Sequence, residues 1–246
     1  MAHAGAWPQP IDHLQIIVPY TLTRATEEYD AHGKTARRNR YIKNEWAPYF
    51  EYGLTGHTTL VGQLTFISDH TSWLGKPVVS RSLSEIKIGA RFALGEWQET
   101  YFSLQPQIIR HGSPNQSDPF ASRRGDIDGE LAVTLGRHFK WLGLDGFTDN
   151  LLGLDIRPAN RPSALRANLT LGVDFNPRTK LMLKSESYAA FSKGSAASQI
   201  QSNKLGLSLV RRMDKTVSFE VGGMASLSGR NTIKERSVRF ALWYDF

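Results

Sequence analysis

Apolar side chains recur at every second position along most of the chain. Near the C-terminus, Val238, Phe240, Leu242, Tyr244 and Phe246 alternate with residues that are smaller or more polar, Trp243 excepted. A period of two places these five side chains on one face of a β-strand. The same alternation runs over 82–95 and over 164–175. The pattern therefore predicts an all-β protein.

The alternation predicts about twelve strands, and most are roughly 10 to 14 residues long. Strands of soluble sheets average only about 5–6 residues, whereas a membrane-spanning strand needs about 9–11. Strand length thus favours a single antiparallel, up-and-down transmembrane β-barrel over 13–246, after a short periplasmic segment over 1–12. The predicted strands lie at 13–25, 40–53, 57–70, 82–95, 99–110, 126–140, 147–157, 164–175, 179–191, 201–212, 215–227 and 235–246.

The connections between these strands alternate in length. Outer-membrane barrels have short periplasmic turns and longer outer loops, and an even strand number places both termini in the periplasm. The links near 141–146 and 158–163 fit this rule least well. Tight links are predicted at 55–56, 95–96, 176–178 and 213–214, and long loops at 26–39, 71–81, 111–125, 192–200 and 228–234.

Composition by itself suggests an ordinary soluble protein. The chain is 40% hydrophobic, has a net charge of +7 and contains no cysteine; its mean hydropathy is −0.36. The absence of cysteine excludes disulfides, cysteine-ligated zinc and a thiol nucleophile. A basic balance would suit nucleic acid, but the strand pattern argues against that partner and we expect none. A soluble barrel with its apolar face inward has the same alternation and stays an alternative.

In a transmembrane barrel the polar faces point into the lumen, and the charges there are nearly balanced in sign. They form either a water-filled path for small polar or zwitterionic solutes, or pairs that close the lumen. The candidate lumen-lining residues are Lys87, Arg91, Glu130, Asp155, Arg157, Arg166, Asp174, Lys184, Glu186, Lys204, Glu220 and Arg239.

Much of the positive excess falls in the predicted outer loops. Guanidinium groups bind phosphate bidentately, so these residues could contact outer-membrane lipid and the phosphates of lipopolysaccharide; solvated loops are the alternative. The basic loop residues are Lys34, Arg37, Arg38, Arg40, Arg123, Arg124, Arg230, Lys234 and Arg236.

Catalytic chemistry has little support. His111 and Ser113 suggest a lipid hydrolase, but Pro114 follows them in a predicted loop, where the imidazole cannot reach the hydroxyl from one strand face. The histidines have no metal-binding spacing, and no phosphate-binding glycine motif occurs. We therefore predict no enzyme, no metal and no cofactor.

The last strand carries a family resemblance. Phe240-x-Leu242-x-Tyr244-x-Phe246 resembles the C-terminal signal of Gram-negative outer-membrane proteins, and the whole pattern resembles a twelve-stranded member of that class. The resemblance implies recognition of Phe240, Leu242, Tyr244 and Phe246 by the barrel-assembly machinery and a location in the Gram-negative outer membrane. It also implies either a channel for small solutes or a closed barrel with a surface or biofilm role.

A narrower resemblance is to XagA-like and phenol-degradation-associated outer-membrane proteins, which implies surface roles or passage of small organic molecules. The chain departs from their usual glycine-rich start at Asp12-His13-Leu14. Ala2-His3-Ala4 has the form of a signal-peptidase site, as expected of a mature exported protein. The narrower resemblance rests on Gly5-Ala6-Trp7, Gln15-Ile16-Ile17, Ser218-x-Glu220-x-Gly222, Gly229-Arg230-Asn231 and Leu242-Trp243-Tyr244-x-Phe246.

Overall fold

A computed structural model describes residues 5–73, 76–112, 127–157, 162–191 and 199–246. All paired strands are antiparallel neighbours in one sheet. The strands are β1 (Leu14–Tyr29), β2 (Thr35–Trp46), β3 (Tyr49–Thr55), β4 (Thr58–Trp73), β5 (Lys76–Trp97), β6 (Thr100–His111), β7 (Ile127–Trp141), β8 (Leu144–Ile156), β9 (Ala164–Asn176), β10 (Thr179–Ala190), β11 (Gln201–Arg212), β12 (Val217–Arg230), β13 (Thr232–Ile233) and β14 (Arg236–Asp245).

The sheet closes on itself. β14 pairs with β1 from Gln15–Asp245 to Arg24–Arg236. β2 and β3 are two parts of one wall strand, because both lie between β1 and β4 and only Ala47 and Pro48 separate them. β13 is a short strand that pairs with the C-terminal end of β1. Within the described residues the wall is therefore a closed, antiparallel barrel of twelve strands, as the alternation predicts.

The main correction concerns the predicted loops. β4 and β5 pair up to Trp73–Lys76, so most of the predicted loop 71–81 is strand. β1 and β2 similarly pair up to Tyr29–Thr35, which shortens the predicted loop 26–39 to 30–34. Most residues over 26–39 are polar, and 71–81 has no regular alternation of polar and apolar residues, so the period of two disappears from the sequence there. The backbone pairing does not depend on that pattern and continues.

The end of the barrel opposite these long strand extensions has tight turns, and we name it the turn end. The end that carries the extensions is named the loop end. At 213–216 the N–H groups of Thr216 and Val217 donate to Asp214 Oδ1, each at 2.7 Å. These donors lower the pKa of the Asp214 carboxyl. The first residue of β1, Leu14, and the last residue of β14, Asp245, also lie at the turn end.

A two-residue turn joins β7 to β8, where the sequence suggested a longer link. Leu142 and Gly143 occupy it with φ of 49° and 79°, and Trp141 pairs directly with Leu144. Such a turn favours Asn followed by Gly. Because a leucine is strained at positive φ and Leu142 is 82% exposed, Leu142→Asn should raise the free energy of unfolding by about 0.5–1 kcal/mol. Urea unfolding in detergent micelles measures this, with Gly143→Ala as a destabilising counterpart.

The two faces of the wall are reversed relative to a soluble barrel. The largest fully buried side chains include Gln15, Glu51 and Glu220, whereas large apolar side chains such as Leu152 and Leu169 are about half exposed on the outer face. Burial of apolar surface drives folding in water, so a soluble barrel would place these faces the other way. Among the described residues no helix is long and apolar enough to cross a membrane.

Candidate functional site

The N-terminal segment, predicted from the sequence as a short periplasmic stretch over 1–12, enters the barrel from the turn end. Asp12 N–H donates to Gly53 O at the rim. Farther in, Ala6 is fully buried; its N–H donates to Asp149 Oδ1 at 3.1 Å, and its carbonyl accepts from Ser103 Oγ at 2.7 Å. Residues 5–9 therefore lie within the interior.

Gln9 anchors this segment to the wall. Its backbone N–H donates to Thr59 Oγ1 at 2.9 Å and its Nε2 donates to Glu51 Oε2 at 2.6 Å. Glycines in the wall provide the space. A Cβ at Gly53 would lie 1.8 Å from the carbonyl oxygen of Pro10, and one at Gly136 would lie 2.9 Å from the Trp7 ring. The close approach of segment and wall thus requires residues without side chains at these positions.

A buried ion pair holds the same region together. Arg91 Nη2 lies 2.5 Å from Glu51 Oε1, and the two side chains are 3% and 0% exposed. Tyr49 Oη donates to Glu51 Oε1, and Arg91 also donates to Gln105 Oε1 and to the Trp7 carbonyl oxygen. Arg91 therefore links three wall strands to the N-terminal segment.

A second interior cluster lies nearer the loop end. Arg166 pairs with Glu130 and, at 3.0 Å, with Asp155. Arg157 contacts Asp155 at 3.5 Å and Asp128 at 3.4 Å. Four of the predicted lumen residues, Glu130, Asp155, Arg157 and Arg166, are brought together here.

A third cluster surrounds Glu220, which is fully buried. Lys184 Nζ lies 2.5 Å from Glu220 Oε1, and Trp243 Nε1 donates to the other carboxylate oxygen at 3.1 Å. Arg239 Nε lies 3.7 Å from Glu220. One carboxylate on β12 thus balances two cations, Lys184 on β10 and Arg239 on β14.

The remaining predicted lumen residues form separate pairs or face open space. Lys87 contacts Glu85 at 3.2 Å, Lys204 pairs with Glu235, and Asp174 lies 3.8 Å from Lys180. Glu186 is exposed to the interior cavity described below. The interior charges consequently form mostly neutral pairs, which agrees with their near balance in the sequence.

Sequence reasoning missed several interior groups. Glu235 was detectable, because it begins the predicted strand 235–246 and shares the parity of Arg239. Trp7 and Gln9 lie before the first strand, so nothing local places them inside. Asp149 was detectable, because it shares the strand face of Asp155 in β8 at an even spacing.

A cluster of apolar side chains lies in the interior near the turn end. Phe147, Met182 and Val210 form a buried cluster, with Trp7 and Trp243 packed against it. The Trp7 ring also lies 4.6 Å from the His138 ring, centroid to centroid. We use the name septum for these five apolar side chains. Trp7 is the one member that comes from the N-terminal segment.

Cavities lie on both sides of the septum. The loop-side cavity has a volume of about 580 Å³ and is lined by charges of both signs, including Lys87, Arg166, Glu186 and Lys204. The turn-side cavity, of about 240 Å³, is bordered by Trp243 and Val210 of the septum region and opens among the turns of β9–β12.

The C-terminal aromatic residues lie on the outer face. Phe240, Leu242 and Phe246 are 42%, 40% and 65% exposed, and the rings of Tyr244 and Phe246 stack at 6.3 Å. The apolar positions of this pattern are thus accessible from outside the wall.

The structure shows no contact for the candidate catalytic pair of His111 and Ser113 among the residues that it describes. His111 Nε2 lies 2.8 Å from Asp128 Oδ2 at the end of β6, and Ser113 lies outside the described residues. The described residues contain no group of three or more acidic or histidine side chains that could hold a metal ion.

The basic loop residues are only partly free. Arg38 pairs with Glu28 at 3.3 Å, and Lys234 pairs with Glu27 at 2.9 Å. Arg123 and Arg124 lie outside the described residues. The structure corrects the loop placement of five of these residues, which lie in strands: Arg37, Arg38 and Arg40 in β2, Arg230 in β12 and Arg236 in β14.

No known protein-family model matches this chain, and no curated protein matches its sequence. Solved structures do resemble the fold. An outer-membrane channel from Pseudomonas putida F1 is 11% identical and superposes with a TM-score of 0.70, with full coverage of both chains.

Two further solved structures resemble this fold with lower TM-scores. The NanC porin is 8% identical with a TM-score of 0.57, covering 93% of this chain and 98% of its own. The translocator domain of autotransporter NalP from Neisseria meningitidis is 10% identical with a TM-score of 0.55, covering 100% and 90%. The chain thus has the closed, twelve-stranded antiparallel β-barrel fold found in bacterial outer-membrane proteins.

Proposed function

We propose that this protein is an outer-membrane channel for small polar or zwitterionic solutes, with both termini in the periplasm. The observation that carries the proposal is the loop-side cavity, which is enclosed by a barrel wall that is apolar outside and charged inside. Lys87, Arg166 and Lys204 line it together with Glu45 and Glu186. The cationic side chains can replace the water around the negative group of a zwitterion, and the carboxylates can replace the water around its positive group.

The septum makes this arrangement a closed state. Phe147, Met182 and Val210 leave an apolar constriction between the two cavities, and Trp7 packs against it from the N-terminal segment. Hydrophobic constrictions gate channels by losing their water. Displacement of Trp7 would widen and hydrate this passage, so the proposed channel opens when the N-terminal segment moves.

Planar-bilayer recording and liposome swelling test the proposal. The purified protein should insert from detergent, shift its gel mobility on heating, and show small, discrete current steps. Zwitterionic solutes of the size of amino acids should enter liposomes faster than anions of equal size. Absence of both current and swelling from correctly folded protein would contradict a channel.

Glu186 provides a selectivity prediction. Its carboxylate faces the loop-side cavity, so Glu186→Gln should shift the reversal potential in a salt gradient toward the anion equilibrium value. Removing one fixed negative charge from a narrow, low-dielectric path weakens cation entry there. Glu99→Gln is the control, because Glu99 is 76% exposed near a turn outside the cavity. Equal shifts in both variants would contradict the placement of Glu186 in the path.

A second candidate function is a closed barrel with a surface or biofilm role. The extensive pairing of interior charges and the inserted N-terminal segment favour it. Bilayer recording separates the two candidates, since a closed barrel with a surface role gives no current even after the N-terminal segment is removed. The narrower resemblance to phenol-degradation-associated proteins fits the channel, with small organic molecules as solutes. In either case the exposed C-terminal pattern over Phe240–Phe246 would be the signal for the barrel-assembly machinery.

A further inference from the structure

Two arginines lie side by side on the outer wall where β1 meets β14. Arg24 and Arg236 are direct cross-strand partners, and both side chains are exposed. They end a column in which all other outward pairs are apolar or aromatic. From the turn end upward that column consists of Ile16–Tyr244, Val18–Leu242, Tyr20–Phe240, Leu22–Val238 and finally Arg24–Arg236.

This pair lacks a carboxylate partner among the described residues. Glu27 borders the same groove, but its carboxylate pairs with Lys234 at 2.9 Å. Like charges directly opposite each other destabilise an antiparallel pair. An anion bound between the two guanidinium groups would remove that repulsion, and phosphate oxygens match the fork of donors that each group presents.

A groove in the outer wall adjoins the two arginines. It has a volume of about 540 Å³, and Leu22 and Val238 line it beside Arg24, Arg236 and the ion pair of Lys234 with Glu27, so that the two arginines supply its net positive charge. The regular pairing of β1 with β14 ends at Arg24–Arg236, and the bulge between Ala25 and Glu27 lies at the same level. The groove is therefore cationic toward the loop end and apolar toward the middle of the wall.

The position of Arg24 and Arg236 along the barrel axis indicates which kind of ligand they can bind. Ten residues separate Leu14 from Arg24; at about 3.4 Å per residue and a tilt of about 40°, they span roughly 26 Å along the barrel axis. That distance equals the height of the apolar band of an outer-membrane barrel, about 25 Å. If the loop end faces outward, as the proposed function requires, the arginines lie at the headgroup level of the outer leaflet.

We propose that Arg24 and Arg236 form a binding site for the phosphate of an acylated, phosphorylated glycolipid of the outer leaflet. The phosphate bridges the two guanidinium groups. An acyl chain of the same lipid lies along Leu22 and Val238. This apolar contact distinguishes the lipid from free phosphate, which would use only the cationic half of the groove.

The double variant Arg24→Gln/Arg236→Gln tests the site. The probe is a hexa-acylated glucosamine disaccharide carrying two phosphates, and its binding to the micellar protein is measured by native mass spectrometry. We expect at least roughly tenfold weaker binding by the variant, because charge-assisted, bidentate contacts are lost. The matched control is Arg81→Gln/Arg110→Gln, which removes two other exposed arginines of β5 and β6; it should bind nearly as well as the unaltered protein.

Three results with the variants and the dephosphorylated lipid would overturn the site, and a fourth comes from competition. The first three are undiminished binding by the Arg24/Arg236 variant, an equal loss in the control variant, and equally tight binding of the same lipid without its phosphates. Displacement of the lipid by millimolar inorganic phosphate alone would also contradict it, since the acyl contact would then contribute nothing. Gel mobility and bilayer current are recorded for each variant, so a failure of barrel insertion or of the channel is distinguished from loss of the lipid site.

Discussion

Deletion of residues 1–9 should raise the single-channel conductance roughly threefold or more, because it removes Trp7 from the apolar septum and frees the space between the two cavities. The deletion cuts the segment where Gln9 bonds to Thr59 and Glu51. The wall strands begin at Leu14 and keep their pairing partners. Planar-bilayer recording at fixed salt measures the change.

A graded series sharpens this experiment. Trp7→Ala keeps the anchors of Gln9 and removes only the ring at the septum, so its conductance should fall between those of the unaltered protein and the deletion. Met182→Ser should also raise the current, because a hydroxyl supports water in the constriction. Unchanged conductance in a deletion variant that retains its heat-dependent gel shift would contradict a gating role for the segment.

Loss of the Glu51 carboxylate should have the largest effect on stability. Glu51→Gln leaves the Arg91 guanidinium buried without its main counter-charge, and breaking such a pair costs about 3–5 kcal/mol of unfolding free energy. We expect a value near the lower end, since Asp149 lies close enough to act on Arg91 electrostatically. Urea unfolding followed by tryptophan fluorescence measures it.

Two control variants distinguish the effect of leaving Arg91 buried without a counter-charge from the effect of losing any ion pair. Glu51→Gln/Arg91→Met removes both charges and should recover most of the lost stability, because no unpaired ion remains. Arg137→Ala breaks an exposed contact of 3.8 Å with Glu99 and should cost less than about 1 kcal/mol. A double variant as unstable as Glu51→Gln would show that the loss does not come from the uncompensated arginine.

The two predictions are connected through Gln9. Its side chain donates to the same carboxylate that balances Arg91. Glu51→Gln should therefore also loosen the N-terminal segment and increase the frequency of open events. The buried pair thus serves both the wall and the closure of the barrel.

The wall of this barrel was predictable because its physics is local. Side chains on a strand point alternately to opposite faces, so the outward positions Phe240 and Leu242 and the inward positions Arg239 and Asp245 are separated by parity alone. The same rule places Arg166 and Lys184 on the face opposite the apolar one. It fails beyond the apolar belt, where Thr71 and Val78 pair in a region that the sequence predicts as a loop.

The sequence by itself determined the class of fold, the approximate number of strands and which side chains share a face, because period and length act within single strands. Only the tertiary structure decided that the polar face lies inside and which charges meet, since Arg91 reaches Glu51 and Lys184 reaches Glu220 across an intervening strand. It also decided that Trp7 packs against the septum and that Arg24 and Arg236 are neighbours. These contacts depend on barrel closure and register, which no local pattern encodes.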